Sequence, residues 1–296
     1  MFEPSPQESG PVAEPLPPQT TLESIEQQSH LDTTTLMKEK NCYFVHMMQV
    51  TKALDVSENN KSVDTNKLTN ADKLDILYAA QPTLSTSTLR PHTQDGTFQG
   101  GFGVIFSQGK IVSASRGDNG TIAISLSERR IGGGNQNSKE EVDKAIDRPH
   151  GGYGKSYNEI VLKEPEVAGG FMKIDGESLQ KRIRFEEEVR EYGHGQRDVV
   201  EKVGTLDLSN EKNGSIFDTP FSVLLEMEKR GPVFFMNENN EMLQVTHIDE
   251  KTRKVRFSTR PITPSDIAEV YGEHTINKYT KQEMLDRVAG NGITLS

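Results

Sequence analysis

Short apolar runs, and stretches in which apolar and polar residues alternate, predict short β-strands along most of this chain, with glycine-rich or polar turns between them. The patterns that favour strands lie at 42–48, 104–106, 110–114, 120–126, 156–162, 233–236, 242–245 and 254–257. Helical patterns lie at 71–80, 139–146, 178–192, 220–229 and 280–288. Because strands outnumber helices and no strand–helix–strand repeat occurs, the sequence predicts an α+β fold with mainly antiparallel pairing.

Two local predictions depend on particular residues. Ser107-Gln108-Gly109 has turn composition, which predicts a hairpin joining 104–106 to 110–114. The segment 178–192 carries many charges and predicts a surface helix, with Glu186–Glu188 on its solvated face.

Composition divides the chain into a tail and a folded part. Six of the 14 prolines fall within positions 4 to 18, among Ser, Gln and Glu. Such a segment buries too little apolar area to offset its ordering entropy, so residues 1–32 are expected to be a disordered tail. The remaining 33–296 is long enough for a single α+β domain with a substantial core.

Charge and hydrophobicity exclude several classes of partner. The net charge of the 296 residues is −10, and no run of Lys or Arg exceeds two, so nucleic acid is not an expected partner. No apolar run is long enough to cross a bilayer, and the start of the chain lacks a Sec-type signal peptide. The sequence therefore predicts a soluble protein, either cytoplasmic or secreted into a host cell without such a signal.

Cysteine and histidine usage bounds the chemistry further. The single Cys42 excludes an intramolecular disulfide and lies in an apolar strand, which favours a buried, inert thiol. The seven histidines are scattered without ligand spacing, so no metal site is expected.

Two predicted strands each carry one polar residue of a type used in catalysis. Glu159 interrupts the run 156–162, where a carboxylate is a poor strand residue and is expensive to bury unpaired. His46 interrupts the run 42–48 in the same way. Taken separately, Glu159 can be a solvated residue and His46 a hydrogen-bonded core residue, but as a pair they indicate two walls of one site.

The sequence Tyr157-Asn158-Glu159, followed by Pro165–Met172, resembles the glutamate strand of ADP-ribosyltransferases. The similarity is to the branch related to poly(ADP-ribose) polymerases and diphtheria toxin. In that family an early strand ends in a His that holds the NAD ribose, and His46 matches this position in order along the chain. The resemblance covers about residues 40–175 through motifs of one to three residues. It implies split, mainly antiparallel β-sheets with peripheral helices, and leaves 176–296 as an extension of the NAD-binding core.

The resemblance implies a mono-ADP-ribosyltransferase, of the kind that bacteria use as effectors or toxins. NAD would be the co-substrate and a protein the acceptor. Glu159 would be the catalytic residue, His46 would bind the ribose and Tyr157 would pack near the nicotinamide. The family's middle residue is a Tyr or, in other branches, a Ser/Thr-rich strand. The candidates for it are Tyr78 and the strand 83–88, with Ser85 and Ser87, and both stay open.

One departure from the family pattern supports an alternative. Met47 follows His46, whereas the family usually has Gly there, whose backbone clamps the nicotinamide amide. A non-catalytic binding or interaction protein on a degenerate transferase scaffold is therefore the alternative. A different NAD-cleaving or phosphotransferase enzyme on a related fold is a third interpretation.

Overall fold

The computed structural model describes part of the chain. The described residues are 31–48, 54–55, 62–63, 74–75, 77–79, 83–96, 101–116, 138–149, 157–174, 177–190, 199–209 and 220–271. The predicted strand at 120–126, the predicted helix at 280–288 and nearly all of the predicted tail lie outside these residues.

Eleven strands and five α-helices are numbered here in chain order within the described residues. The strands are β1 (Tyr43–Met48), β2 (Leu54–Asp55), β3 (Ser62–Val63), β4 (Thr83–Leu89), β5 (Phe102–Ser115), β6 (Glu159–Lys173), β7 (Ile183–Arg190), β8 (Val199–Asp207), β9 (Val233–Met236), β10 (Met242–Asp249) and β11 (Lys254–Ile262). The helices are α1 (Thr33–Lys40), α2 (Lys139–Asp147), α3 (Glu177–Gln180), α4 (Pro220–Glu228) and α5 (Pro264–Asp266), and a π-helix follows over Ile267–Tyr271.

One large sheet dominates the molecule. Its nine strands follow the order β4-β1-β5-β6-β9-β10-β11-β8-β7, and every adjacent pair is antiparallel except β6 and β9. The fold is thus mixed α and β, with a mostly antiparallel sheet and few helices, as the sequence predicts. Hydrogen bonds join all nine strands, whereas the resemblance implied split sheets.

The first four strands of that order close on themselves. β4 pairs with β1, β1 with β5 and β5 with β6, and β6 pairs back to β4 through Thr83–Thr86 opposite Ile160–Lys163. Closure leaves these strands no free edge along the paired segments, which protects their backbone groups from competing partners. We call this group of four strands the ring.

The predicted hairpin at 104–114 is wrong. Residues 102–115 form the single strand β5, and both of its halves pair with β6. Register shifts on either side of Gln108 mark bulges, so the glycine-containing segment bends the strand without reversing it. The carbonyl of Ser107 accepts hydrogen bonds from the hydroxyls of Thr33 and Thr34, and α1 therefore holds the bend in place.

The predicted helix at 178–192 is also wrong. A short helix, α3, is followed by strand β7, whose eight residues all pair with β8. Glu186–Glu188 therefore lie on a strand and not on a helix. Glutamate favours helices in isolation, but pairing with β8 overrides that weak preference.

Most of the other patterns within the described residues are confirmed, but the strand predicted at 156–162 begins only at Glu159 and continues to Lys173 as β6. α2 covers the predicted helix at 139–146, and α4 covers most of 220–229. β9, β10 and β11 include the three strands predicted at 233–236, 242–245 and 254–257.

Aromatic side chains fill the core on both sides of the β6–β9 junction. The largest fully buried ones are Tyr43, Tyr78, Phe44, Phe106, Phe171, Phe234, Phe235 and Phe257. The Tyr43 hydroxyl donates to the carbonyl of Ile262 and so connects β1 to the end of β11. Among the helices that the structure describes, none has the length and apolar character needed to cross a membrane.

Candidate functional site

Three strands of the ring bring the sequence-predicted polar residues together. β4 lies between β1 and β6, because it pairs with β1 through Ser87–Leu89 and with β6 through Thr83–Thr86. His46 lies on β1, Ser85 on β4 and Glu159 at the start of β6. Residues far apart in sequence therefore meet across adjacent strands.

Ser85 contacts both other residues. Its hydroxyl Oγ donates to Glu159 Oε1 over 2.8 Å, and its carbonyl oxygen lies 2.7 Å from His46 Nδ1. All three residues are half-buried, so the group is partly accessible from solvent. The Ser85 hydroxyl gives the Glu159 carboxylate a hydrogen-bond partner, which a half-buried charge on a strand requires.

The hydrogen bond to Ser85 fixes the tautomer of His46. A carbonyl oxygen can only accept, so Nδ1 carries the proton and Nε2 of the neutral ring is an acceptor. Desolvation lowers the pKa of His46 below its usual 6.5, and the hydrogen bond to Ser85 opposes this only in part. At neutral pH the imidazole is therefore uncharged, with Nε2 available to accept from a hydroxyl.

The hydroxyls that follow Ser85 have a different role. Thr86 Oγ1 donates to the carbonyl of Ile160, and Ser87 Oγ donates to the carbonyl of Asn158, over 2.7 and 2.8 Å. These bonds close β4 onto β6. The structure thus gives Ser87 a backbone partner, and in the hydroxyl strand it is Ser85 that reaches the carboxylate.

Asn158 is a residue that sequence reasoning missed. It is 1% exposed, and its Nδ2 donates to Thr88 Oγ1 at 2.6 Å and to the carbonyl of Ala145 at 2.9 Å. Its Oδ1 accepts from the backbone N–H of Thr88 at 2.8 Å. Ala145 belongs to the last turn of α2, where carbonyls lack partners within the helix. Asn158 therefore fixes α2, β4 and β6 beside Glu159, and its place between Tyr157 and Glu159 was the available clue.

The two tyrosines considered for the nicotinamide occupy different places. Tyr157 is 8% exposed and directly precedes Asn158 and Glu159. Tyr78 is 1% exposed, and a Cβ built on Gly170 would lie 2.7 Å from its hydroxyl. Its ring is therefore packed in the core next to the far end of β6, about 11 residues along that strand from Glu159, and is not brought to the His46–Ser85–Glu159 group.

Cys42 directly precedes β1. The thiol is fully buried, and desolvation raises its pKa to about 12. It therefore stays protonated and unreactive at neutral pH, which agrees with the predicted inert thiol.

Metal-binding side chains are not clustered in the described part of the chain. Within it, no group of three or more His, Cys, Asp or Glu side chains is arranged to hold a metal ion. No family model, no curated protein and no solved structure matches this chain.

Proposed function

We propose that this protein is an NAD-dependent mono-ADP-ribosyltransferase with an ADP-ribosyltransferase-like core in the ring. The observation that carries the proposal is the double contact of Ser85, with the Glu159 carboxylate through its hydroxyl and with the His46 ring through its carbonyl. A buried structural role explains each residue alone. It does not explain why a half-buried carboxylate and a half-buried neutral imidazole share one partner.

The chemistry requires a carboxylate near the ribose. In the reaction the C1′–N bond of NAD breaks, its electron pair leaves with nicotinamide, and positive charge develops on the ribose. Glu159 stabilises that charge and binds the 2′-hydroxyl, which fixes the sugar. The acceptor atom then bonds to C1′, and its proton passes to Glu159.

His46 positions the substrate in this proposal. Its neutral Nε2 accepts a hydrogen bond from a hydroxyl of the adenine-side ribose, since Nδ1 is committed to Ser85. Met47 does not crowd this contact, because successive side chains of a strand point to opposite faces. The backbone N–H and C=O that would clamp the nicotinamide amide are present in Met as in Gly.

The acceptor is proposed to be a protein, and the enzyme an effector or toxin acting in a host cell. A net charge of −10 disfavours a nucleic-acid backbone as the acceptor, because like charges repel. Purified protein is incubated with labelled NAD and a host-cell lysate, and a labelled protein band is the expected product.

The decisive variant is Glu159→Gln. It keeps the size and one acceptor oxygen for Ser85, but it removes the charge, so we expect NAD cleavage and transfer to fall at least about 1,000-fold. Glu164→Gln is the matched control, because Glu164 lies exposed on the same strand, and it should retain full activity. Undiminished NAD cleavage by Glu159→Gln, with an unchanged melting temperature, would rule out the assignment.

His46→Ala tests the binding half of the proposal. Loss of the Nε2 acceptor should weaken NAD binding by roughly tenfold, the amount expected for one hydrogen bond to a ligand. Isothermal titration calorimetry with NAD gives the affinity directly. The same affinity in both proteins would remove His46 from the site.

A non-catalytic binding protein is the second candidate, and the burial of Tyr78 favours it. With that ring packed against Gly170, Tyr78 does not supply a stacking surface for nicotinamide. This candidate predicts that NAD or another ligand binds while no band in the lysate is modified and no free ADP-ribose forms.

A further inference from the structure

A second polar recess lies at the opposite end of the nine-stranded sheet from the ring. It is a cavity of about 490 Å³ between the ends of β8 and β11, with one wall from β7 and another from β10. Backbone pairing between β8 and β11 ends at Ser258 opposite Val203, although β11 continues to Ile262. We call this recess the β8–β11 cleft. Its volume falls in the range of small-molecule sites.

Two irregularities in the strands shape the cleft. Between Leu243 and Val245 of β10, the partner residue on β11 moves from Pro261 to Phe257, so β11 bulges at 258–260. The next register shift places an extra residue on β10 at Thr246. Bulges re-aim side chains and are frequent beside functional sites. Both bulged segments line the cleft.

Cationic side chains gather on this lining. Arg256 is held by an ion pair with Glu188 across the cleft, whereas the exposed guanidinium of Arg260 makes no ion pair within the described residues. Lys202 contributes to the lining, but its ammonium lies 4.8 Å from the centre of the Phe185 ring, on the opposite face of β8 from Glu201. The exposed side chain of His247 also lines the cleft.

The carboxylates of the cleft and the guanidinium of Arg260 lie at different positions along it. Glu188 and Glu201 lie opposite each other on β7 and β8, and Glu188 is neutralised by Arg256. Arg260 lies on β11, beyond the last pair between β8 and β11. An oxyanion is therefore attracted to the Arg260 end. In a chain of net charge −10, a recess in which two guanidinium groups match two carboxylates is a local exception.

We propose that the β8–β11 cleft binds a small organic oxyanion, a phosphate or a carboxylate, with Arg260 as its anchor. The planar guanidinium suits two-pronged hydrogen bonding to either group. The hydroxyl of Ser258, which accepts from the backbone N–H of Arg260 at 3.2 Å, retains its own proton for a second donor contact. The proposal is independent of NAD turnover, because it concerns other strands and needs binding only.

Binding to full-length protein is measured by isothermal titration calorimetry with inorganic pyrophosphate in one arm and citrate in the other. We expect at least one probe to bind, and Arg260→Ala to weaken that binding at least about tenfold. Binding of pyrophosphate alone identifies a phosphate site, and binding of citrate alone identifies a carboxylate site. Arg260→Lys should restore part of the affinity, because it keeps the charge and loses the fork.

Lys251→Ala is the control, because it removes an exposed cation from the turn at the other end of the β10–β11 hairpin. It should leave the affinity unchanged. Failure of both probes to bind, or an equal loss of affinity in Lys251→Ala, would overturn the proposal. A loss of NAD cleavage in Glu159→Gln with unchanged pyrophosphate or citrate binding would show that the two sites are separate.

Discussion

The ring and the β7–β8–β11 region use polar side chains in opposite ways. In the ring, hydroxyls, an amide, an imidazole and a carboxylate are partnered across strands, mostly to one another or to backbone carbonyls. In the β7–β8–β11 region, charged groups face a cleft, and the large hydrophobic side chains that are exposed in the described residues also lie here: Phe185, Val189 and Val200. One region satisfies its polar groups internally, and the other presents them to solvent.

The difference follows from how the strands are bounded. Closure of β4 onto β6 removes edges, so a polar residue placed there must find a partner within the sheet. β7 ends the sheet order and pairs on one side with β8, and most of its described side chains, other than Ile183, are exposed to water. A preorganised group suits chemistry, because its geometry is set before the ligand arrives, whereas exposed cations suit recognition of a charged ligand.

The largest effect should come from removing the Asn158 side chain. Asn158→Ala deletes three hydrogen bonds and leaves the N–H of Thr88 and the carbonyl of Ala145 buried without them. We expect a loss of about 3 kcal/mol in the free energy of unfolding. Urea denaturation followed by circular dichroism measures it.

Asn237→Ala is the matched control outside the ring. Its side chain accepts from the N–H groups of Asn239 and Glu241 and donates to the Glu241 carboxylate, also three bonds, but in a half-exposed turn. Water replaces those partners, so the loss should be only about 1 kcal/mol. Equal losses for the two variants would show that burial of Asn158 in the ring adds nothing to the cost of losing three hydrogen bonds.

Much of the fold could be predicted from the spacing of apolar residues and from the residues that begin or end helices and strands. β9 and the start of β10 are short apolar runs, β11 alternates apolar and polar residues over 254–257, and α2 and α4 carry helical spacing. The two errors share a cause. The bend of β5 at Gln108 and the pairing of β7 are decided by distant partners, β6 and β8, and local composition reports only turn or helix preference.

The candidate site was predicted only in part for the same reason. His46 and Glu159 attract attention because each is a polar residue in an apolar run, and Ser85 lies in an unusual hydroxyl strand. Asn158 carries no such signal beyond its position. Its role depends on hydrogen bonds to Thr88 and Ala145, and only strand pairing and the placement of α2 bring those two residues close to it. The β8–β11 cleft has no sequence motif, because pairing and bulges assemble it from four strands.

The pH dependence of stability should be smaller than the loss at Asn158. The pKa of His46 is lowered in the folded protein, chiefly by desolvation, so the unfolded state binds a proton more readily. The folded state should therefore lose stability as the pH falls below about 6.5, the ordinary histidine value. His46→Asn keeps an N–H donor for Ser85 but does not titrate. The free energies of unfolding of the wild type and of this variant are measured at pH 7.5 and 5.5. Relative to the variant, the wild type should be less stable at pH 5.5 than at pH 7.5. A difference that does not change with pH would show that the folded ring does not desolvate His46.

The smallest effect should come from breaking an ion pair of the β7–β8–β11 region. The side chains of Glu188 and Arg256 are 38% and 39% exposed, so water screens their attraction, and holding two long side chains costs entropy. Glu188→Gln should therefore change the free energy of unfolding by about 0.5 kcal/mol or less in urea denaturation. The same variant should leave Arg256 free at the cleft and strengthen pyrophosphate or citrate binding, because a carboxylate that competes with the ligand is gone. A loss of about 2 kcal/mol or more would mean that the pair is desolvated. Polar groups of the β7–β8–β11 region would then depend on protein partners, as they do in the ring.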